Sequence, residues 1–214
     1  MKQNLNFLIA ILITCFAVNT TSAQLGVKAG LNLSSLKYFD DNDENFNEEY
    51  VTGYQVGAVY VVGLGDKLSF QPEAAFYTRG GKAKFGAGPL ATEIENSLQY
   101  LNLNALLNLN LLGDNDGLAV QLTGGLFGGY ALSGTSKVTF GGITTESKVD
   151  YDNDESLDRS NMGYIVGAGI RLNDFILSLR AAYGFKEYGG NSDSGSTTIT
   201  YKTREFSLVG AFLF

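Results

Sequence analysis

The chain has no histidine and no tryptophan, one cysteine and two prolines among 214 residues. Without imidazole, Ser-His-Asp and Cys-His nucleophilic devices and histidine metal ligation are excluded, because no other side chain titrates near neutrality without a strong push from its surroundings. Charge is sparse at 17%, with 22 Asp and Glu against 15 Lys and Arg, so no basic surface of the kind nucleic acid requires is expected. Long apolar runs are also missing. The longest, Phe7–Val18, is shorter than the roughly 20 helical residues a bilayer needs. Glycine (27), tyrosine (12) and phenylalanine (14) are plentiful, and the mean hydropathy of +0.01 suits neither a helical membrane bundle nor a disordered tail.

The single cysteine belongs to the first segment. Lys2, the apolar run Phe7–Val18, the polar stretch Asn19–Ser22 and then Ala23 follow the order of a secretory signal peptide. Cleavage after Ala23 is expected, with Thr21 and Ala23 as the small residues at the −3 and −1 positions, which gives an address over residues 1–23 and one domain over 24–214. Lipid attachment at Cys15 fits poorly, since Thr14 stands where a small Gly or Ala is usual. The mature chain is then expected to hold no cysteine and to live in an oxidising compartment without a disulfide.

The rest alternates with a period of two, the pattern of strands whose faces see different surroundings. The clearest run places Leu101, Leu103, Ala105, Leu107, Leu109 and Leu111 on one face and Asn102, Asn104, Leu106, Asn108 and Asn110 on the other. A helix over the same stretch would scatter the asparagines, whereas a strand sorts them. Seven further segments alternate likewise: 25–34, 53–63, 67–79, 118–131, 162–172, 175–186 and 201–214. Eight strands result. Their connections alternate between long (35–52, 80–96, 132–161, 187–200) and short (64–66, 112–117, 173–174), so all long ones fall at one end of an up-and-down sheet. An even-stranded, closed outer-membrane barrel has this form.

A lipocalin-like soluble barrel would also run up and down, with its apolar face inward. The polar face argues against that. It carries Lys28, Glu73, Arg79, Arg171, Arg180 and Glu205, with Gln55, Gln71, Gln121, Thr123, Ser178, Lys186, Thr203 and Ser207. These charges would ruin an apolar cavity and fit a polar lumen closed by opposite charges, so the six ionised residues are read as one lumen network. On the apolar face, Tyr54, Phe76, Tyr130, Tyr164, Tyr183, Phe185 and Phe206 gather toward the long-loop end. Phe70, Phe175, Phe212 and Phe214 gather toward the other, as two interfacial girdles.

Chemistry finds little footing. No catalytic residue, cofactor or metal site is expected, and the only carboxylates on the lumen face, Glu73 and Glu205, have arginines for partners. Asp40, Asp41, Asp43, Glu44, Glu48 and Glu49 crowd the first long connection, and Glu146, Asp150, Asp152, Asp154, Glu155 and Asp158 the third. A calcium loop begun at Asp150 would find Glu155 and Asn161 where Gly and Glu are required. Solvated acidic loops are the reading. The run Gly124–Gly129 precedes no helix and holds no phosphate.

The blocks GVKAGLNLS (26–34), LSFQPEAAFYTRGGK (68–82), YLNLNALLNLNLL (100–112), GYIVGAGIRL (163–172), LSLRAAYGF (177–185) and the terminal FSLVGAFLF (206–214) together resemble the small outer-membrane β-barrels of Gram-negative bacteria, the OmpA/OmpX-like and PorT-like group. The resemblance implies an eight-stranded all-β transmembrane barrel in the outer membrane. It also implies an alternating last strand, Phe206, Leu208, Phe212 and Phe214, read by the barrel-assembly machinery. Expected partners are outer-membrane lipid, lipopolysaccharide and a ligand or protein at the surface loops, with no nucleic acid. A structural or interaction role is expected, ahead of a narrow channel or, as PorT-like relatives suggest, an accessory in secretion or assembly.

Overall fold

The computed structural model describes residues 23–39, 48–85, 92–114, 117–148, 159–185, 188–190 and 199–214. The expected signal peptide before Ala23 lies outside them, as do Asp40, Asp41, Asp43, Glu44, Asp150, Asp152, Asp154, Glu155, Asp158 and Lys186.

Every regular element among the described residues is a strand. In chain order these are β1 (Ala23–Phe39), β2 (Glu48–Glu49), β3 (Val51–Gly63), β4 (Leu68–Phe85), β5 (Thr92–Leu112) and β6 (Leu118–Phe140). They continue with β7 (Ile143–Lys148), β8 (Ser160–Leu172), β9 (Phe175–Gly184), β10 (Tyr188–Gly190) and β11 (Ile199–Leu213). The eight long strands pair antiparallel in the order β1-β3-β4-β5-β6-β8-β9-β11, and β11 pairs back with β1 to close the ring. Register partners followed from Gly26 through Val59, Glu73, Asn104, Phe127 and Gly163 lead to Gly184. Its neighbour Tyr183 faces Arg204, which faces Ser35, so one circuit climbs about ten residues along β1. That climb is the strand tilt that closure requires.

Alternation decides which face looks where. Leu101, Leu103, Leu107 and Leu109 are exposed, while Asn102, Asn104, Asn108 and Asn110 between them are buried. The outward aromatics form the two expected bands. At the long-connection end Tyr164 stacks on Tyr183 with centroids 5.2 Å apart, and Tyr54 lies 6.2 Å from Phe76. Phe175, Phe212 and Phe214 are exposed at the other end. An apolar band exposed over the whole outer wall is stable against lipid and would be an aggregation hazard in water.

The long connections differ from expectation. Segments 35–39, 80–85, 92–96 and 132–140 continue the strands past the aromatic band, and residues 143–148 form β7, which folds back on β6. The turn between them is Gly141–Gly142 with φ of 57° and 81°, left-handed values that a two-residue hairpin needs and glycine adopts without strain. The result is a sheet in the order β2-β4-β5-β6-β7 that rises beyond the barrel.

Candidate functional site

Two regions carry polar chemistry: the lumen and the rising sheet. In the lumen, β1, β4 and β9 bring Lys28, Glu73 and Arg180 together. Lys28 Nζ donates to Glu73 Oε2 at 2.6 Å, and Arg180 Nη1 donates to both Glu73 oxygens at 2.9 and 3.1 Å. Gln71 donates to Oε1 at 2.7 Å and Asn104 to Oε2 at 2.8 Å, so five contacts serve one carboxylate. The network runs on through Asn108, which donates to Gln71 Oε1, and Thr123, which donates to Asn108 Oδ1. A carboxylate buried to this depth is tolerable only because it is paired and hydrogen-bonded on both oxygens.

Nearer the long-connection end, Arg79 Nε donates to Glu205 Oε2, and the guanidinium lies 4.9, 5.6 and 5.2 Å from the ring centroids of Tyr77, Tyr100 and Phe127. Gly163 leaves the space that the Phe127 ring occupies, since a Cβ there would meet Phe127 Cζ at 2.7 Å. Arg171 stands apart from both groups at the short-turn end. It donates through Nε to the Asn173 carbonyl at 2.9 Å and through Nη2 to Gln24 Oε1. The six ionised residues therefore form a three-residue cluster, a separate pair and one rim contact.

The lumen is less polar than expected. Val59, Val61, Ile176, Ala211 and Leu213 pack together toward the short-turn end on the β3, β9 and β11 side. Leu106, Phe127, Ile165 and Ala182 form a second buried cluster. The same alternation that places Glu73 and Arg79 inside also places Tyr77, and parity along β5 places Tyr100. With Phe127 these are three inward aromatics that neither the girdles nor the polar face read from the sequence include, since the polar face was drawn from polar and charged residues.

In the rising sheet, a bulge opposite Gln99–Tyr100 inserts Leu132 into β6 and resets its parity. Register then aligns Glu49, Lys82, Glu95, Lys137 and Glu146 in one row across β2, β4, β5, β6 and β7. Lys137 lies 3.5 Å from Glu146, and Lys82 lies 2.5 Å from Glu93, whose other neighbour Lys84 is at 3.4 Å. The hydrogen bond from Lys82 holds the Glu93 carboxyl below its ordinary range, and Glu49 raises the Lys84 ammonium. Glu49 and Glu146, read from sequence as loop acids, are strand residues with lysine partners.

Phe206, Leu208, Phe212 and Phe214 all lie exposed on the outer face of the last strand and its end. Among the described residues, no group of three or more Cys, Asp or Glu is placed to hold a metal ion.

A family model described as outer membrane protein beta-barrel domain matches residues 16–188. Among solved structures, Ail of Yersinia pestis is similar at 15% identity over 91% of this chain and 100% of its own, with a TM-score of 0.41. OprG of Pseudomonas aeruginosa is similar at 11% identity over 90% and 96%, with a TM-score of 0.49. None of the curated proteins matches the chain. With its strands closed on themselves and its apolar face outward, the chain belongs to the outer membrane protein beta-barrel domain family of Gram-negative outer membranes.

Proposed function

We propose that this protein is a non-conducting outer-membrane anchor that holds a rigid sheet and its loops at the cell surface for interaction. The supporting observation is that the lumen is filled by side chains bound to one another. Lys28, Glu73 and Arg180 meet at its middle, Arg79 and Glu205 lie nearer the mouth, and the Val61–Leu213 cluster packs toward the opposite end. The sheet meanwhile continues past the outer girdle. Lipid and lipopolysaccharide are the surroundings of the wall, and the last strand serves as the signal to the barrel-assembly machinery. The first segment is the export signal.

Orientation is tested by single cysteines, since cleavage of the address leaves none. Ile143→Cys on intact cells is expected to react with a membrane-impermeant maleimide and Asp66→Cys is not; labelling of the second alone would overturn the reading.

One observation favours a narrow channel instead. Among the described residues the buried lumen charges are four cations and two anions, and both amide atoms of Asn102 lack a partner. A conducting lumen of this kind would prefer anions. Eight strands leave an interior that side chains fill, which is why the closed reading stands first.

A further inference from the structure

On the mouth side of Lys28, Glu73 and Arg180 the lumen leaves a cavity of about 10 Å³, room for one water or one monatomic ion. Ser34, Arg79, Phe127, Ala182, Thr203 and Glu205 are among the residues that line it. The Ser34 hydroxyl is already committed to β4, donating to the Gly80 carbonyl at 2.9 Å and accepting from the Gly80 amide at 2.8 Å, so it braces the wall. Thr203 Oγ1 accepts from Asn161 Nδ2 at 3.4 Å, which leaves its own proton to give. Arg79 is 7% exposed, and its Nη1 has no hydrogen-bond partner among the described residues. This nitrogen lies off the edge through which Nε meets Glu205, and the rings of Tyr77, Tyr100 and Phe127 keep water from much of the guanidinium. A buried charged donor left unpaired costs more than a neutral one.

The charge of the lumen decides what fills this place. Away from the rim, the buried ionised residues among those described are Lys28, Arg79 and Arg180 against Glu73 and Glu205, so one positive charge is left over. Such a surplus is costly in a low-dielectric interior, and a water would satisfy Nη1 without reducing it. We infer that the cavity binds one small monovalent anion of halide type, held by Arg79 Nη1 and the Thr203 hydroxyl. The space is too small for acetate or phosphate. Glu205 is the like charge that borders the site among the described residues, and its pairing with Nε keeps the positive charge of Arg79 between the two. The anion balances the surplus and gives the orphaned donor a partner, so it is a structural part of the barrel taken up from the mouth. A closed lumen gains from it and a conducting one tolerates it, so the site does not depend on the display reading.

The test uses the full mature chain. Crystals grown in sodium bromide are expected to show one anomalous peak at hydrogen-bond distance from Arg79 Nη1 and Thr203 Oγ1. In lipid vesicles, the urea midpoint of unfolding is expected to rise to a plateau as chloride replaces gluconate at constant ionic strength, because only the folded barrel holds the ion. Thr203→Val removes a donor while leaving Arg79 and Glu205 paired, and is expected to raise the chloride concentration at half effect about tenfold. Arg79→Gln combined with Glu205→Gln removes both charges of the pair and is expected to abolish the chloride response. A cavity without anomalous signal, equal midpoints in chloride and gluconate, an unchanged chloride requirement in Thr203→Val, or a response that survives the double substitution and so belongs to surface lysines would each overturn the inference. Channel steps in a bilayer would defeat the closed anchor without bearing on bound bromide, so the two failures are distinguishable.

Discussion

Glu73 shows how much one residue can organise. Four groups from β1, β4, β5 and β9 make five hydrogen bonds to its two oxygens, and two of the four are cations. Glu73→Gln keeps the shape and leaves Lys28 and Arg180 buried beside a neutral amide. A loss of about 3–5 kcal/mol in unfolding free energy is expected, read from urea titration of the refolded protein in lipid vesicles. The triple variant Lys28→Met, Glu73→Gln, Arg180→Met removes the uncompensated charge and is expected to recover most of that loss. A Glu73→Gln protein as stable as the parent would contradict the assignment of this cluster as a paired centre. Parity alone placed these three residues inside, because charge on a strand face that otherwise carries Asn and Gln has no place against lipid. That the six ionised residues divide into a cluster, a pair and a rim contact depends on heights along tilted strands, which alternation does not report.

At the scale of elements, the barrel strands were legible and their upward continuations were not. Segments 80–85 and 92–96 carry Gly80, Gly81, Lys82, Lys84, Glu93 and Glu95, composition that reads as loop because strand propensity rests on β-branched and aromatic residues. What makes them strands is partnership at a distance: Lys82 meets Glu95, and Glu95 meets Lys137. Beside that row, Glu93 and Lys84 give the rising sheet a pH dependence. Glu93 is held low by the hydrogen bond from Lys82, so its contribution is present above the ordinary carboxylate range and is lost as pH falls through its depressed value. Lys84 is raised by Glu49, so its contribution holds through neutral pH and is lost only as pH rises through the elevated lysine value. Hydrogen exchange, corrected for intrinsic rates, is expected to show amides of 92–96 and 135–140 losing protection in acid while barrel amides of 101–109 keep theirs. Uniform protection across both would mean that the charged row does not hold the sheet.

For the whole molecule, closure is the property from which the rest follows. Alternating short and long connections together with an outward apolar face were enough to read an up-and-down ring in a membrane, and β1 pairing with β11 completes it. The filling of the ring was legible only in part. Alternation places the asparagines and Leu106 inside, but Val61 and Leu213 also point inward, where apolar packing against one another outweighs the alternation of polarity. A lumen stopped by ion pairs and apolar clusters together should stay closed when any one charge is removed. The most direct measurement is single-channel recording of the purified mature chain in a planar lipid bilayer, beside Arg79→Gln and Arg180→Gln. No resolved current steps are expected for any of the three proteins; reproducible steps from the parent chain, altered in size or ion preference by either substitution, would contradict the closed anchor.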